Sequence, residues 1–308
     1  MNDMHLLTPT GWEDYELIDS GGFEKLERFG RWITVRPEPQ AIWRRSLPDA
    51  EWERLATAVF RRDDNQRGGS PDGGERGRWL LRPGMPEQWW VEYAYKEMKL
   101  RMRLGLTSFK HVGIFPEQAA NWDFIYDRTR EIGARNGTPA RVLNLFAYTG
   151  GATLAGLAGG GEVTHVDSVK QVVTWSRENM ERSGLDGARW IVDDALKFVR
   201  REARRGRVYD GIILDPPAYG RGPDGEKWVL EQHIGELLEN CAQLLAPRNS
   251  FLVFNLYSMG LSALLAKTAA NQLFGTSAPD FAEQSGELYF ADRAGKSLPL
   301  GVYYRFSR

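Results

Sequence analysis

The sequence predicts an α/β protein, a doubly wound and mostly parallel sheet preceded by a smaller β-rich domain. Three observations predict it. From about residue 139 the chain repeats a rhythm of short apolar run, loop and amphipathic stretch, the pattern of strands covered on both faces by crossover helices. Before about residue 110 the pattern is β-like, and eight of the 11 tryptophans fall by Trp122. A length of 308 residues with 42% hydrophobic content allows one large core and a smaller one. The expected division is therefore a β-rich accessory domain over 1–110 and the α/β domain over 111–308.

Taken in order, the stretch Asp63 to Gly77 has no apolar content and reads as a mobile loop. Met98 to Leu104 alternates strictly, with Met98, Leu100, Met102 and Leu104 on one face and Lys99, Arg101 and Arg103 on the other. Val91, Tyr93 and Tyr95 alternate in the opposite phase, which predicts a hairpin turning near Lys96-Glu97. Five short buried strands follow, over 141–145, 162–166, 188–192, 209–214 and 250–256. Between the second and third, Val169, Val172, Val173, Ser176 and Met180 hold helical spacing, with Ser168 as the expected cap and Gly184 at the end. The segments 281–290 and 301–307 read as two further strands, an antiparallel edge.

Composition excludes several classes. A net charge of -1 provides no global polycation, so a nucleic-acid partner requires a local basic face. Two are present in the sequence, the Lys99, Arg101, Arg103 face and the run Arg200, Arg201, Arg204, Arg205, Arg207 beside the expected ligand edge; both also suit solvated surface. The N-terminal tryptophans can stack on unpaired bases or fill a small core, and core packing is the preferred reading. The single Cys241 excludes an internal disulfide framework and fits a reducing cytoplasm, while His5, His111, His165 and His233 lack metal-ligand spacing. Residues 142–161 carry no charge over a membrane-spanning length, yet six glycines with Asn144, Tyr148 and Thr149 make a poor lipid segment. Neither a membrane span nor a signal peptide is expected.

In an open parallel sheet, ligands sit at the carboxyl ends of the strands, so the residues after each strand form a set. Gly150 and Gly151 follow the first and permit a tight turn into a helix N-terminus. Asp167 ends the second, where a carboxylate can accept both ribose hydroxyls of a nucleoside. Asp193-Asp194 end the third, where one carboxylate can receive an adenine amino group while capping a helix. Asp215-Pro216-Pro217-Ala218-Tyr219 ends the fourth. Singly, each has a bland alternative as helix cap or loop punctuation. Four on one edge favour a nucleoside cofactor. The G-x-G-x-x-G spacing of dinucleotide enzymes is absent, and the Tyr95–Lys99 pair precedes the motif inside a predicted strand. Methyl transfer from a sulfonium needs mainly alignment of a nucleophile with the methyl group. Rigid Pro216 and Pro217 carbonyls with the Asp215 carboxylate can receive a planar amine, and Tyr219 can stack on the base that bears it.

With these residues assembled, the chain resembles the class I S-adenosylmethionine-dependent methyltransferases, especially bacterial large-subunit ribosomal RNA methyltransferases of the cytosine-5 and guanine-N7 type. The resemblance runs from about Val91 onward through GIFPEQAANW, VLNLFAYTGG, HVDSV, VDDALKF and LDPPAYG. It implies a Rossmann-like methyltransferase sheet with S-adenosylmethionine as cofactor. Gln118 and Asn121 would hold the methionine end; Asn144, Phe146, Ala147, Tyr148, Thr149 and Gly150 would surround the cofactor. Asp167 with Ser168 would meet the ribose, Asp193 and Asp194 would lie near the adenine, and Asp215 and Pro217 would line the transfer position. Two departures matter. Cytosine-5 members attack through a cysteine, but the corresponding strand end reads NLYSMG, Asn255 to Gly260, and Cys241 sits among leucines. A nitrogen acceptor is therefore expected. The chain before Val91 is also too short for both N-terminal modules that the ribosomal enzymes often carry. The expected function is methylation of an RNA base nitrogen, with ribosomal RNA favoured and with no membrane or metal. The alternatives are a small-molecule or protein acceptor, or a catalytically silent RNA-binding factor.

Overall fold

The computed structural model describes residues 5–62, 76–257, 261–276 and 280–308. After a short strand β1 (His5–Leu7), strands β2 (Tyr15–Gly21), β3 (Glu24–Phe29), β4 (Trp32–Pro37), β5 (Ala58–Arg62) and β6 (Gly77–Leu81) form a five-stranded sheet in that order. Helix α1 (Asp49–Leu55) connects β4 to β5, and these two strands pair in parallel, as a helical crossover requires. The loop expected from Asp63 lies, through residue 75, outside the described residues, and its final residue, Gly77, opens β6.

Strands β7 (Gln88–Tyr95) and β8 (Met98–Gly105) form the expected hairpin, with Lys96 at φ +51° in the turn. Their inward side chains, among them Val91, Tyr93, Leu100 and Met102, are buried in one core with Trp122, Ile125, Val142 and Leu154. Packing therefore crosses residue 110. The outward face is not a free cationic stripe: Arg101 pairs with Glu92 at 2.8 Å and Arg103 with Glu178 at 2.9 Å. The tryptophans are mostly interior. Trp52, Trp89 and Trp122 are buried, Trp12, Trp32, Trp43 and Trp79 pack against the core, and Trp90 stands 38% exposed.

A 3-10 turn at Pro116–Gln118 leads into α2 (Ala119–Asn136), and then the alternation begins: β9 (Arg141–Leu145), α3 (Gly151–Ala158), β10 (Glu162–Asp167), α4 (Lys170–Arg182), β11 (Arg189–Val192), α5 (Ala195–Arg204), β12 (Gly211–Leu214). A small ribbon, β13 (Tyr219–Arg221) with β14 (Lys227–Val229), precedes α6 (Leu230–Leu244), β15 (Phe251–Leu256), α7 (Ala263–Phe274), β16 (Ala282–Ala291) and β17 (Ser297–Ser307). The large sheet runs β1-β16-β17-β15-β12-β9-β10-β11. Strands β15, β12, β9, β10 and β11 are mutually parallel, and β17 and β16 continue antiparallel, as the tail predicted. Alternate residues of each strand face opposite layers. Val142 and Ile213 meet the core under α2 and α3, while Leu143, Ile212 and Leu214 meet the core under α5 and α6.

Two details differ from the sequence expectation. Ser168 does not cap α4: the helix starts at Lys170 after Val169, whose N–H donates to Asp167 Oδ1 at 2.9 Å. No side chain caps this helix; Asp167 instead braces the turn that precedes it, and Val169 at the N-cap position is left 45% exposed. Of the arginine run, Arg204, Arg205 and Arg207 are carried away from the ligand edge, because α5 starts there and runs back across the sheet, whereas Arg201 reaches back to Asp193 at that edge. Arg200 pairs with Glu236 at 2.5 Å and Arg201 with Asp193 at 2.7 Å. Among the described residues no helix is long and apolar enough to cross a membrane, and no cluster of ligating side chains could hold a metal ion.

Candidate active site

The chain leaving β9 runs through α3 to β10 on one side, while β12, reached through α5, lies on the other. The connections thus reverse direction between β9 and β12, where a crevice opens beyond the strand ends. Phe146 and Tyr148 in the loop after β9 take φ +55° and +49°, and Gly150 takes φ +90°. Left-handed backbone at the first two costs about 1–3 kcal/mol each and persists only where the surroundings hold it. Here the Ala147 N–H donates to Val166 O at 3.1 Å and the Tyr148 N–H to Asp167 Oδ2 at 2.9 Å. The Phe146 ring packs on Trp228 with centroids 4.9 Å apart. At Gly150 a Cβ would lie 1.9 Å from Ser176 Oγ, and at Gly151 it would lie 2.3 Å from the Trp122 ring. Both positions exclude a side chain for that reason.

This loop, the turn before α2 and the end of β12 enclose a cleft of about 500 Å³, its solvent-open mouth included. Of the sequence-predicted residues it brings together Gln118, Asn121, Asn144, Phe146, Ala147, Tyr148, Thr149, Gly150 and Asp215, backed by Phe115, Trp122 and Ile213. Asn144 is buried and donates Nδ2–H to Thr153 Oγ1 at 2.9 Å, while the Thr149 hydroxyl donates to Gly113 O. Asp167 stands behind the loop at the end of β10 with each oxygen on a backbone N–H; burial raises its pKa against those bonds. Ser168 follows it, half-buried. Asp194 caps α5 by accepting the Lys197 N–H at 2.8 Å, and Asp193 is held by Arg201, so both serve the fold where the adenine end was expected.

Asp215 differs from the other carboxylates. It borders the cleft, accepts no hydrogen bond among the described residues, and desolvation alone pushes its pKa up to about 7. Pro216 and Pro217 follow, and Trp228 Nε1–H donates to Pro217 O at 2.7 Å. That bond occupies one of the two carbonyls expected to receive an acceptor. It also pins the β13–β14 ribbon on which Tyr219 stands 37% exposed. Trp228 and Asn255 are parts of the site that the sequence reading missed. Asn255 stands at the end of β15, where the sequence pattern shows only the absence of a cysteine, and borders the cleft. Cys241 lies fully buried on the inner face of α6, and burial pushes its thiol pKa well up, which removes it from nucleophilic chemistry.

The residues fit a nucleoside sulfonium: an open cleft at the switch point is bordered by two backbone-accommodating glycines and by Asp215 and Gln118, whose carboxylate and amide nitrogen have no partner among the described residues. Comparisons with known proteins agree. A crystal structure of a SAM-dependent methyltransferase from Agrobacterium tumefaciens superposes with a TM-score of 0.85 at 35% identity, covering 98% of this chain and 93% of that one. The chain is 30% identical over 169 residues to a ribosomal RNA large subunit methyltransferase K/L of Shewanella frigidimarina, covering 54% of this chain but only 22% of that protein. It is 40% identical over 82 residues to a ribosomal RNA large subunit methyltransferase I of Klebsiella pneumoniae, covering 26% of this chain and 20% of that protein. The chain thus spans about a fifth of the length of these curated relatives. Residues 72–282 match the family model described as S-adenosylmethionine-dependent methyltransferase, and the chain belongs to that family.

Proposed function

We propose that this protein moves the methyl group of S-adenosylmethionine onto a nitrogen of an RNA base, with ribosomal RNA as the acceptor, in the cytoplasm. The observation that carries the reading is Asp215, a carboxylate without a partner among the described residues that borders the cleft, followed by two prolines and an exposed tyrosine. The ribosomal RNA acceptor is supported by what the Shewanella and Klebsiella relatives are named for. A nitrogen rather than carbon 5 of cytosine is supported by the buried Cys241 and the cysteine-free end of β15. In this reading the segment before residue 110 is an accessory domain to the methyltransferase residues that follow.

When bound, S-adenosylmethionine supplies a methyl group on a positively charged sulfur, open to in-line attack. Asp167 and Ser168 hold the ribose side, Asp193 and Asp194 border the adenine side, and the loop from Phe146 to Gly150 wraps between them. Asp215 and the Pro216 carbonyl accept the N–H groups of a planar amine, which fixes its lone pair along the line of transfer. Tyr219 stacks on the base bearing that amine. A carboxyl group poised near neutrality also suits the surplus proton of the methylated nitrogen. Exchange of Asp215 for alanine is expected to lower transfer by about 10²-fold or more, while S-adenosylhomocysteine affinity measured by calorimetry stays within about 3-fold. Equal loss of both would contradict the assigned role. The acceptor itself is read by mass spectrometry of ribosomal RNA nucleosides from a strain lacking the gene: one missing methylated nucleoside, restored by the purified protein, is the expected result.

A further inference from the structure

Gln118 ends the turn before α2, and its side-chain oxygen accepts hydrogen bonds from Asn121 Nδ2 at 3.1 Å and Asn255 Nδ2 at 3.0 Å. Asn255 Oδ1 accepts a second bond from Asn121 Nδ2 at 2.9 Å. Asn121 Oδ1 in turn accepts from Arg305 Nη1 at 3.2 Å. Arg305 comes from β17 and is 8% exposed; its remaining donors reach Ala120 O at 2.9 Å and Gln284 Oε1 at 2.8 and 2.6 Å. Its guanidinium lies 4.5 Å from the Phe124 ring centroid and 5.3 Å from that of Tyr303.

A carboxamide can exchange its donor and acceptor by rotating half a turn, whereas a guanidinium has five donors and no acceptor. The arginine therefore sets the direction of the whole series. Asn121 must turn its oxygen to Arg305 and its nitrogen to the other two amides. Both of those must answer with oxygen, and the Asn255 nitrogen is left to reach Gln118 as well. The Gln118 oxygen is thus held by two donors, and its Nε2, which has no protein partner among the described residues, borders the cleft.

We propose that Arg305, acting through Asn121 and Asn255, is a positioning residue that fixes Gln118 with its N–H donors toward the cleft. That end of the cleft becomes a receptor for a carboxylate, the amino-acid end of the cofactor. The proposal rests on the cofactor reading given above. The start of the 18-residue helix α2 adds partial positive charge at the same place. Burial brings the Arg305 pKa down to about 10, so the group stays a pure donor at neutral pH.

The test is calorimetric titration of the full chain with S-adenosylhomocysteine and with 5′-methylthioadenosine, which lacks the carboxylate. The unaltered protein is expected to prefer the first by about 10-fold or more. Asn255→Asp offers only acceptors, draws the Gln118 nitrogen to itself and turns its oxygen outward. S-adenosylhomocysteine affinity should then fall about 10-fold or more, with methylthioadenosine affinity within about 3-fold. Arg305→Met should reduce the same ratio. In a Gln118→Ala background, both changes should leave the ratio within about 3-fold, because the group they orient is gone. A ratio unmoved by Asn255→Asp, or moved equally without Gln118, overturns the relay and leaves the cofactor reading standing. An unaltered protein that binds neither ligand overturns both. If Arg305→Met does not fold, Asn255→Asp with its Gln118→Ala partner decides alone.

Discussion

Asp215 ties the fold to the chemistry through one cost, the desolvation of a half-buried carboxyl group that finds no hydrogen-bond donor among the described residues. Its folded pKa, about 7, lies above the value of an unfolded chain, about 3.9. The sign follows directly. Below both values the group is neutral in either state and costs nothing; between them the unfolded chain ionises first and stability falls; above 7 the full penalty remains. Asp215 is only half-buried, so solvent screens part of this penalty. Asp215→Asn should raise stability above pH 7 by about 2 kcal/mol, roughly half of what a rise from about 3.9 to about 7 gives in a dry site, and leave it unchanged below pH 4, as read by urea unfolding at several pH values. Activity should move the opposite way. If the ionised form receives the acceptor, kcat/KM rises with pH through about 7 in the unaltered enzyme, and Asp215→Asn flattens that limb while lowering the plateau. Asp215 was legible in the sequence because a carboxylate ended an apolar run. The Gln118–Asn255–Arg305 set was not, since its bonds join residues 137 and 184 positions apart and amides and an arginine carry no local periodicity.

The element with the least freedom is the loop from β9 to α3. Gly150 sits at φ +90° against Ser176, so Gly150→Ala meets both a backbone penalty and a clash. The expected loss is about 2–4 kcal/mol of stability, and Ser176→Gly should restore only the part owed to the clash. Thermal unfolding of the single and double variants separates the two. Sequence periodicity located this loop and the strands around it well, because buried parallel strands and period-two hairpins announce themselves in the order of apolar residues. Caps were harder to see. Ser168 has the right side chain, but α4 starts one residue too late for it and Val169 takes the N-cap position with no side-chain cap bond, a difference set by where β10 stops and not by propensity.

Across the whole molecule, the turn between β16 and β17 fastens the N-terminal sheet to the large one. Lys296 Nζ reaches Asp19 Oδ1 at 2.8 Å, Ser20 Oγ donates to Asp292 Oδ2 at 2.9 Å, and Arg293 Nε meets Glu16 at 2.7 Å. Asp19 is 1% exposed and also accepts from Trp52 Nε1 at 2.8 Å and the Leu47 N–H at 2.9 Å. Burial raises its pKa, yet the Lys296, Leu47 and Trp52 bonds together hold it below the usual value. A depressed folded pKa gives stability that is present above about pH 4 and lost as pH falls below it. Asp19→Ala should cost about 3–5 kcal/mol at pH 7 by stranding those donors, with the difference narrowing in acid; calorimetric melts at pH 7 and pH 3.5 check it. None of this clamp was legible, because its members are separated by nearly the length of the chain and each is an ordinary turn or strand residue locally. The change of rhythm along the chain was visible in composition; the contacts that cross it were not. Strand β1 pairs with Gly286 to Leu288. Strand β1 thus leaves the ribosome long before β16, the strand that seats it. Until β16 emerges, β1 is an unpaired edge, and a nascent chain that stops short of Ala282 would leave it nowhere to dock.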